Sequence, residues 1–426
     1  MIKLKKIGKF HLVLLGVLML GWAFDSMNSG LISGTLTLII KDLAFTPEET
    51  GRVLSSWLFG MLIGALTLGF IGDNIGRKKT SILALALMGL FSWASFTATG
   101  WLDLSLYRLL AGMGAAGYMV VASTLLTEYS PAEVRGGLIA FLESAWAFGW
   151  LVALLLARII APSLGWRPVF NASLATLALI PLIMIIVPES IRFLVFKGRV
   201  KEAEKIVKEV GLLIDIPKIK EKEKGSLSEL FKGVYFKRTV MLWIHWFCIV
   251  LAYWGIFLWL PHILYTRGIS YIKSLQYSLL ITLAQIPGYW SAAVLIDKIG
   301  RKKVLASYMT LAGVGSLLFW TATSNLEALL WASMISFFNL GAWGVTYAYT
   351  PELYPTRLRA TASGWANSIG RIGGILGPYI AGLLIQTTGD PLYPFILFAS
   401  VHFVSAIIVT ILGEETKMRE LEEISK

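Results

Sequence analysis

Long apolar stretches alternate with short polar segments along the whole chain. Twelve of these stretches reach about 20 residues, the length that a helix needs to cross the hydrocarbon of a bilayer. Six of them precede a polar segment at 188–238 and six follow it. The pattern predicts an all-α polytopic membrane protein with twelve transmembrane helices in two six-helix bundles. The predicted spans lie near 10–40, 51–72, 80–100, 102–126, 137–161, 166–187, 239–263, 274–296, 303–322, 326–350, 361–386 and 392–412.

The same pattern predicts that the chain has four parts. An N-terminal bundle covers 1–187 and a C-terminal bundle covers 239–412. Between them, 188–238 is predicted to be a cytoplasmic linker with short amphipathic helices, and 413–426 is predicted to be a cytoplasmic tail.

The composition of the chain indicates that lipid is its solvent. Hydrophobic residues make up 56% of the 426 residues and charged residues only 15%, and the mean hydropathy is +0.70. A soluble protein of this size could not bury so much apolar surface, which excludes a cytosolic enzyme and a disordered chain. The single Cys248 and the four scattered histidines lack metal-ligand spacing, so we expect neither a metal nor a cofactor.

The net charge of +12 has a topological explanation. If both termini are cytoplasmic, 30 of the 38 Lys and Arg residues fall on the cytoplasmic side, 6 on the opposite side and 2 within spans. Membrane proteins carry this excess of positive charge in their cytoplasmic loops. We therefore expect a multi-pass plasma membrane protein with both termini in the cytoplasm, and the charge requires no nucleic acid partner.

Two motifs recur at one fixed offset of 224 residues. Asp-Asn-Ile-Gly-Arg-Lys-Lys at 73–79 returns as Asp-Lys-Ile-Gly-Arg-Lys-Lys at 297–303, and the Glu, Pro and Arg of 128–135 return at 352–359. Because each half has an even number of spans, the two halves have the same orientation and form pseudo-symmetric bundles. Transporters built from such repeats bind substrate between halves that rock against each other.

These motifs resemble the major facilitator superfamily over nearly the whole chain. Gly-x-x-x-Asp-x-x-Gly-Arg-Lys-Lys at 69–79 is similar to the signature of that superfamily between spans 2 and 3. The segments 24–34, 107–114 and 188–202 resemble its sugar-porter-related branch. The block 349–375 is similar to bacterial niacin transporters, the synaptic-vesicle-protein-like group and animal organic-ion transporters. The resemblance implies secondary transport by alternating access.

The amides that bind hexose in sugar porters are largely missing. Those proteins typically carry a Gln pair in span 7, a Gln in span 5 and a Trp in span 10. This chain has His245-Trp246, Glu143 and Tyr347 at the resembling positions. The sequence therefore disfavours a hexose as the substrate.

Two ionisable residues in the first bundle are predicted to couple protons to transport. Asp25 shares a polar helical face with Asn28 and Ser29. Ionisable side chains inside the membrane normally face a cavity or a charged partner. The resemblance to sugar/proton symporters implies that Asp25 loads and releases the proton and that Arg108 is its partner. A purely structural ion pair is the alternative.

Arg371 is the candidate anchor for an anionic substrate. It follows Asn367 by four residues on span 11, and its planar donor fork suits a carboxylate. The resemblance to organic-anion transporters implies the same role. The alternative is an internal salt bridge, such as one with Glu143. Glu143 itself is a candidate second proton site, a contact for a substrate cation or the mate of Arg371, and these readings stay open.

Aromatic residues are abundant, with 16 Trp, 15 Tyr and 22 Phe. Most membrane Trp and Tyr lie in interfacial belts. However, Tyr253 and Trp254 lie together on span 7, Trp343 and Tyr347 share a face of span 10, and Gln285 lies on span 8. An aromatic cavity around one Arg suits a small aromatic carboxylate. Ordinary packing is the alternative for each aromatic residue.

The loop motifs predict a cytoplasmic gate. Acidic and basic residues stand at helix ends, where they can latch neighbouring helices in one state, although plain topology signals are the alternative. By resemblance to the sugar-porter charge network, the gate residues are Asp73, Gly76, Arg77, Glu128, Arg135, Glu189, Arg192, Asp297, Gly300, Arg301, Glu352 and Arg359.

Together these features predict a monomeric secondary transporter rather than an enzyme. The favoured function is proton-coupled symport of a small organic anion, for example an aromatic acid such as nicotinate. Symport of a sugar or polyol, efflux of amphipathic compounds and a transport-inactive sensor remain as alternatives. The expected partners are a small-molecule substrate, protons and the lipid bilayer.

Overall fold

The structure, a computed structural model, describes residues 8–131, 134–210 and 226–417. Among these residues there are helices and no strands, and twelve helical segments are long and apolar enough to cross a membrane. This confirms the predicted all-α polytopic fold. The helices are α1 (Lys9–Leu43), α2 (Pro47–Ile75), α3 (Arg77–Ala94), α4 (Trp101–Tyr129), α5 (Arg135–Leu164), α6 (Leu174–Ile186), α7 (Ile191–Phe196), α8 (Val200–Val210), α9 (Gly233–Thr266), α10 (Tyr271–Leu283), α11 (Gln285–Ile299), α12 (Arg301–Thr321), α13 (Asn325–Glu352), α14 (Thr356–Thr388) and α15 (Pro394–Leu412).

Several helices extend beyond the predicted spans into polar sequence. For example, α2 begins at Pro47 rather than near 51, with Glu48 and Glu49 in its first turn. Proline is well tolerated at the first helical position, and acidic side chains there interact favourably with the helix dipole. Hydropathy marks only the part of a helix that lies in hydrocarbon, whereas the hydrogen-bonded backbone continues into the polar interface.

The predicted span near 274–296 is two helices rather than one. α10 ends at Leu283 and α11 begins at Gln285, with Ala284 between them. Pro287 explains the interruption, because it has no N–H for the carbonyl of Leu283 and its ring crowds that carbonyl. The interruption falls in the middle of the candidate span Tyr271–Ile299. Irregular backbone at this depth is tolerated only against protein or a water-filled cavity.

The helices group into two compact units. The first draws its described residues from 1–35 and 56–221, and the second draws them from 36–55 and 222–426. α1 and α2 therefore each contribute to both units. The linker residues 211–225 and the tail after 417 lie outside the described residues, and the predicted four-part division of the chain stays a prediction.

The segment 36–55, which joins the end of α1 to the start of α2, packs closely with the second unit. A β-carbon at Gly51 would lie only 2.9 Å from the carbonyl oxygen of Pro378. The hydroxyl of Ser55 donates a hydrogen bond of 2.6 Å to the carbonyl of Ile375. Close backbone approach and a buried hydrogen bond therefore hold this segment against α14.

Glycine also brings helices into backbone contact within each unit. In the first unit, a β-carbon at Gly60 of α2 would lie 2.0 Å from the carbonyl oxygen of Leu109 on α4. In the second unit, a β-carbon at Gly373 of α14 would lie 2.3 Å from the carbonyl oxygen of Phe247 on α9. Small residues permit such close packing of membrane helices.

We expect Gly373→Ala to lower the stability of the protein, because its β-carbon would force α14 away from the backbone of α9. The cost should be about 1–3 kcal/mol, the usual range for overpacking. Thermal unfolding in detergent measures it. Gly364→Ala is the matched control on the same helix, because a β-carbon at Gly364 meets nothing within 4 Å. Equal melting temperatures for the two variants would contradict the prediction.

Candidate functional site

Asp25 and Arg108 lie in the interior of the first unit. Asp25 on α1 is 0% exposed and Arg108 on α4 is 1% exposed. The carboxylate of Asp25 acts electrostatically on the guanidinium of Arg108. The structure thus brings together the two residues that the sequence singled out for proton coupling.

Arg108 has further contacts that stabilise its charge. Its Nη1 donates to the carbonyl of Asn28 at 2.8 Å, and its guanidinium carbon lies 4.2 Å from the centre of the Trp57 ring. Both interactions favour a cation, the first by a hydrogen bond and the second by the negative face of the indole. Arg108 is therefore held in place by more than the charge of Asp25.

Glu143 lies on α5 and is half-buried. Its helix packs on α1, because Ser26 Oγ donates to the carbonyl of Trp146 at 2.6 Å and a β-carbon at Gly149 would lie 2.0 Å from the carbonyl oxygen of Ala23. Within the described part of the chain, no hydrogen bond or ion pair reaches the Glu143 carboxylate. Its three proposed roles all stay predictions.

Four aromatic residues of α9 and α13 form a cluster in the second unit, which we name the aromatic wall. They are Trp246, Tyr253, Trp343 and Tyr347. The ring centres of Tyr253 and Trp343 are 5.2 Å apart, as are those of Trp246 and Tyr347. Trp254 packs against Tyr253 with a ring separation of 5.4 Å. The structure thus joins all four aromatic residues that the sequence placed at the substrate.

Trp246 is a member of the wall that was not placed in the substrate site from the sequence. It precedes Tyr253 by seven residues, a spacing that puts both on one face of α9. That periodicity was the available signal. Its indole Nε1 donates to Thr350 Oγ1 at 3.0 Å, and Thr350 Oγ1 donates to the carbonyl of Thr346 at 2.7 Å. The indole is therefore held by hydrogen bonding to α13.

His245, beside Trp246, is fully buried and neutral. Its Nδ1 lies 2.6 Å from Ser405 Oγ and its Nε2 lies 2.7 Å from Thr346 Oγ1. The single hydroxyl proton of Thr346 is donated to the carbonyl of Ala342 at 2.7 Å. Nε2 must therefore carry a proton and donate to Thr346, while Ser405 donates to Nδ1. Both ring nitrogens are thus used within the second unit.

Arg371 and Asn367 lie one turn apart on α14, and both are half-buried. The turn that carries Arg371 packs directly on the aromatic wall. A β-carbon at Gly370 would lie 3.1 Å from Cε3 of Trp246. A permanent cation and an aromatic surface are therefore carried on adjacent, closely packed helices of one unit.

Gln285 is the first residue of α11 and is 1% exposed. One turn further, the ring of Tyr289 packs over Gly344, where a β-carbon would lie 3.0 Å from the Tyr289 ring. Gly344 immediately follows Trp343 of the aromatic wall. Span 8 therefore packs beside the wall at the point where its backbone is interrupted.

The predicted gate residues of the first unit form a cluster around the start of α3. Glu189 accepts a hydrogen bond of 2.7 Å from the backbone N–H of Arg77. Ser190 Oγ donates to Glu128 at 2.5 Å, and Glu128 also accepts from the backbone N–H of Arg192. Glu189 is thus positioned to stabilise the positive end of α3.

The second unit repeats this cluster around the start of α12. Glu415 accepts 2.8 Å from the backbone N–H of Arg301, and Thr416 Oγ1 donates to Glu352 at 2.6 Å. Arg301 also pairs with Glu352 at 3.2 Å. Glu415 and Thr416 were not predicted as gate residues. The signal for them is that Glu189-Ser190 returns as Glu-Thr 226 residues later.

The loop glycines of the two clusters have equivalent strained conformations. Gly76 has φ 102° and Gly300 has φ 99°, a region that favours glycine. A β-carbon would lie 2.3 Å from Oε2 of Glu189 in the first case and 2.2 Å from Oε2 of Glu415 in the second. Only glycine therefore lets each carboxylate approach the following helix.

The remaining gate residues bond to neighbours close in sequence. Arg77 pairs with Asp73 at 2.5 Å and Arg301 with Asp297 at 3.5 Å. Arg135 donates to the carbonyl of Ser130 at 3.1 Å, and Arg359 donates to the carbonyls of Pro351 and Tyr354. Among the described contacts, these last two arginines therefore bind helix-end carbonyls, where a charge network would have paired them with carboxylates.

One further ion pair connects the residues before α9 to α14. The guanidinium of Arg357 bonds the carboxylate of Glu229. Hydrogen bonds from the Ser226 backbone and from Arg357 hold the pKa of Glu229 below its ordinary value. Glu229 is therefore charged at neutral pH and keeps this pair intact.

Comparison with known proteins defines the class of this chain. A family model described as "Sugar (and other) transporter" matches residues 11–426. The niacin transporter NiaP of Acinetobacter baylyi is 39% identical over 426 residues, covering 98% of this chain and 97% of that protein. The benzoate transport protein of the same organism is 26% identical, covering 100% and 94%. The xylose transporter XylE from E. coli, in a partially occluded inward open conformation, has the same fold, with a TM-score of 0.78 at 18% identity over 97% of this chain and 100% of that one.

Twelve candidate spans, a repeated helical architecture and these relatives define a multi-pass secondary transporter rather than an enzyme. The chain belongs to the sugar (and other) transporter family of the major facilitator superfamily.

We expect Thr346→Val to destabilise the second unit, because the isosteric side chain leaves the buried His245 Nε2–H without an acceptor. An unsatisfied buried donor costs about 1–3 kcal/mol. Thermal unfolding followed by tryptophan fluorescence measures the loss. The control is Thr310→Val, since Thr310 is exposed on α12 and bonds only the carbonyl of Ala306. A control variant that loses as much stability would refute the assignment.

Proposed function

We propose that this protein couples protons to the symport of a small aromatic carboxylate, such as nicotinate, by alternating access. The protein would act in the plasma membrane with both termini in the cytoplasm. The observation that carries the proposal is the aromatic wall packed directly against the turn of α14 that holds Arg371.

The chemistry of the site suits a flat acid. Trp and Tyr rings provide a large apolar surface for an aromatic ring, and a guanidinium can bind a carboxylate through two parallel hydrogen bonds. Asn367, one turn from Arg371, adds a polar group on the same helix. The names of two relatives, a niacin transporter and a benzoate transport protein, both refer to aromatic carboxylic acids or their transport, which supports the same class of substrate.

The sugar or polyol alternative is disfavoured by the hydrogen bonds of His245. In this chain His245 stands where sugar porters have a hexose-binding amide, yet Ser405 and Thr346 occupy both of its ring nitrogens. No free donor or acceptor is left on this side chain for a hydroxyl. The likeness to xylose transporters concerns the fold alone.

Proton coupling is proposed to act through Asp25. Protonation removes the negative charge beside Arg108, while the Asn28 carbonyl and the Trp57 ring keep the cation in place. The electrostatic attraction between α1 and α4 would then switch with the proton, and this switch would bias the alternation. The charge clusters around Gly76 and Gly300 are proposed to act as the cytoplasmic gate.

The direct test is uptake of labelled nicotinate into proteoliposomes with an acidic outside, with protein-free vesicles as the measure of passive leak. Unlabelled benzoate, glucose and a cationic amine are the competitors. We expect saturable, gradient-dependent uptake that benzoate reduces and glucose and the amine do not. Inhibition by glucose alone, or counterflow of glucose, would support the sugar alternative instead.

Arg371→Lys should weaken nicotinate uptake about 10-fold or more, because Lys keeps the charge but loses the planar fork. The half-saturating concentration measures this effect. Arg267→Lys is the control, since Arg267 donates to the carbonyl of Ala322 outside the spans. Near-normal affinity in Arg371→Lys would argue against carboxylate anchoring.

Asp25→Asn should abolish proton-driven accumulation but preserve exchange of internal for external substrate, because the amide cannot carry the proton. Accumulation and exchange are measured in the same proteoliposomes. Asp390→Asn serves as the control, because Asp390 caps a turn between α14 and α15 through the N–H of Leu392. Accumulation that survives in Asp25→Asn would rule out this coupling site.

A further inference from the structure

Gln285 is a primary amide buried at the interruption of span 8. It is 1% exposed, and among the residues that the structure describes none forms a hydrogen bond with its side chain. Its position follows from Pro287, which ends the regular hydrogen bonding at Leu283 and lets α11 start at Gln285. An amide capable of two donations and one acceptance is thus enclosed without a protein partner.

This situation is unfavourable, because buried polar groups in folded proteins are nearly always hydrogen-bonded. Another buried amide of the same unit behaves as expected: Asn339 Nδ2 lies 2.9 Å from Nε2 of His402. His402 in turn contacts the carbonyl of Phe398 at 2.6 Å through Nδ1. The unit therefore provides a partner for the amide nitrogen of Asn339 but none for Gln285.

The amide belongs to the face of span 8 that meets the aromatic wall. Thr282, Gln285 and Tyr289 lie on one helical face, and the Tyr289 ring packs over Gly344 beside Trp343. Gly288, three residues after Gln285, approaches α13 so closely that a β-carbon would lie 2.2 Å from the carbonyl oxygen of Phe337. The amide therefore stands one turn from the residues that contact the wall.

We propose that Gln285 determines specificity by donating a hydrogen bond to an acceptor atom in the ring of the substrate. This inference rests on the proposed function, and it narrows the substrate class to aromatic carboxylates with a ring nitrogen, such as pyridine carboxylates. A pyridine nitrogen satisfies the buried amide when the substrate binds. A benzene ring of the same shape leaves the amide unpaired, and a site built to bond a polar atom discriminates against an analogue that lacks it.

The test is equilibrium binding of labelled nicotinate and labelled benzoate to the purified full chain in detergent. The variants are Gln285→Met, which is of similar size and apolar, and Gln285→Asn, which keeps the amide on a shorter stem. Gln276→Met is the matched control, because Gln276 is half-buried on α10 of the same span. Thermal unfolding of each variant checks that it is folded.

We expect the wild-type protein to bind nicotinate more tightly than benzoate. Gln285→Met should weaken nicotinate binding about 3- to 10-fold, the effect of one hydrogen bond, and change benzoate binding less than about 2-fold. Gln285→Asn should lie between Gln285→Met and the wild type, and Gln276→Met should match the wild type.

Two results would overturn the role of Gln285 while leaving the proposed function in place. One is equal binding of nicotinate and benzoate by the wild type, and the other is an unchanged preference for nicotinate in Gln285→Met. If the wild type binds neither acid, the proposed function fails and the inference fails with it.

Discussion

In a bilayer, a helix gains no hydrophobic free energy by leaving lipid for a neighbouring helix, so close van der Waals contact has to hold a bundle together. Glycine makes that contact possible here, and it also sets the positions of the two cations within the spans. Arg108 lies four residues before Gly112, whose β-carbon would meet the carbonyl oxygen of Trp57 at 2.1 Å. Arg371 lies two residues before Gly373, which contacts the backbone of α9. Each long, charged side chain therefore extends from a backbone that cannot shift.

A second constraint is that polar groups in the hydrocarbon region need partners inside the protein. His245 meets it completely, because two hydroxyl groups fix its tautomer and so tie α9 to α13 and α15. The aromatic wall rests on this arrangement, since Trp246 and Thr346 take part in the same network. The shape of the apolar surface is thus determined by hydrogen bonds behind it.

The twelve spans could be predicted because hydropathy is a local property, and the face that joins Tyr253 to Trp254 or Asn367 to Arg371 follows from helical spacing. Contacts between distant segments could not be predicted in this way. Trp246 gains its place from Thr350 on another helix, and the role of Glu415 depends on the start of α12. The repeat of Glu415 is offset by 226 residues rather than 224, so the register of the loop motifs does not reveal it.

The packing of 36–55 with the second unit has a consequence for biosynthesis. Gly51 reaches its contacts on Pro378 and Tyr379 only after about 330 further residues have been made, which takes on the order of 20–60 s at typical elongation rates. Until then the ends of α1 and α2 sit in the membrane with the surface around Gly51 and Ser55 facing lipid or another protein. Maturation of the first hairpin is therefore among the last events of assembly, although its residues are among the first to be inserted. A ribosome that stops before α14 leaves a hairpin that no later folding step can complete.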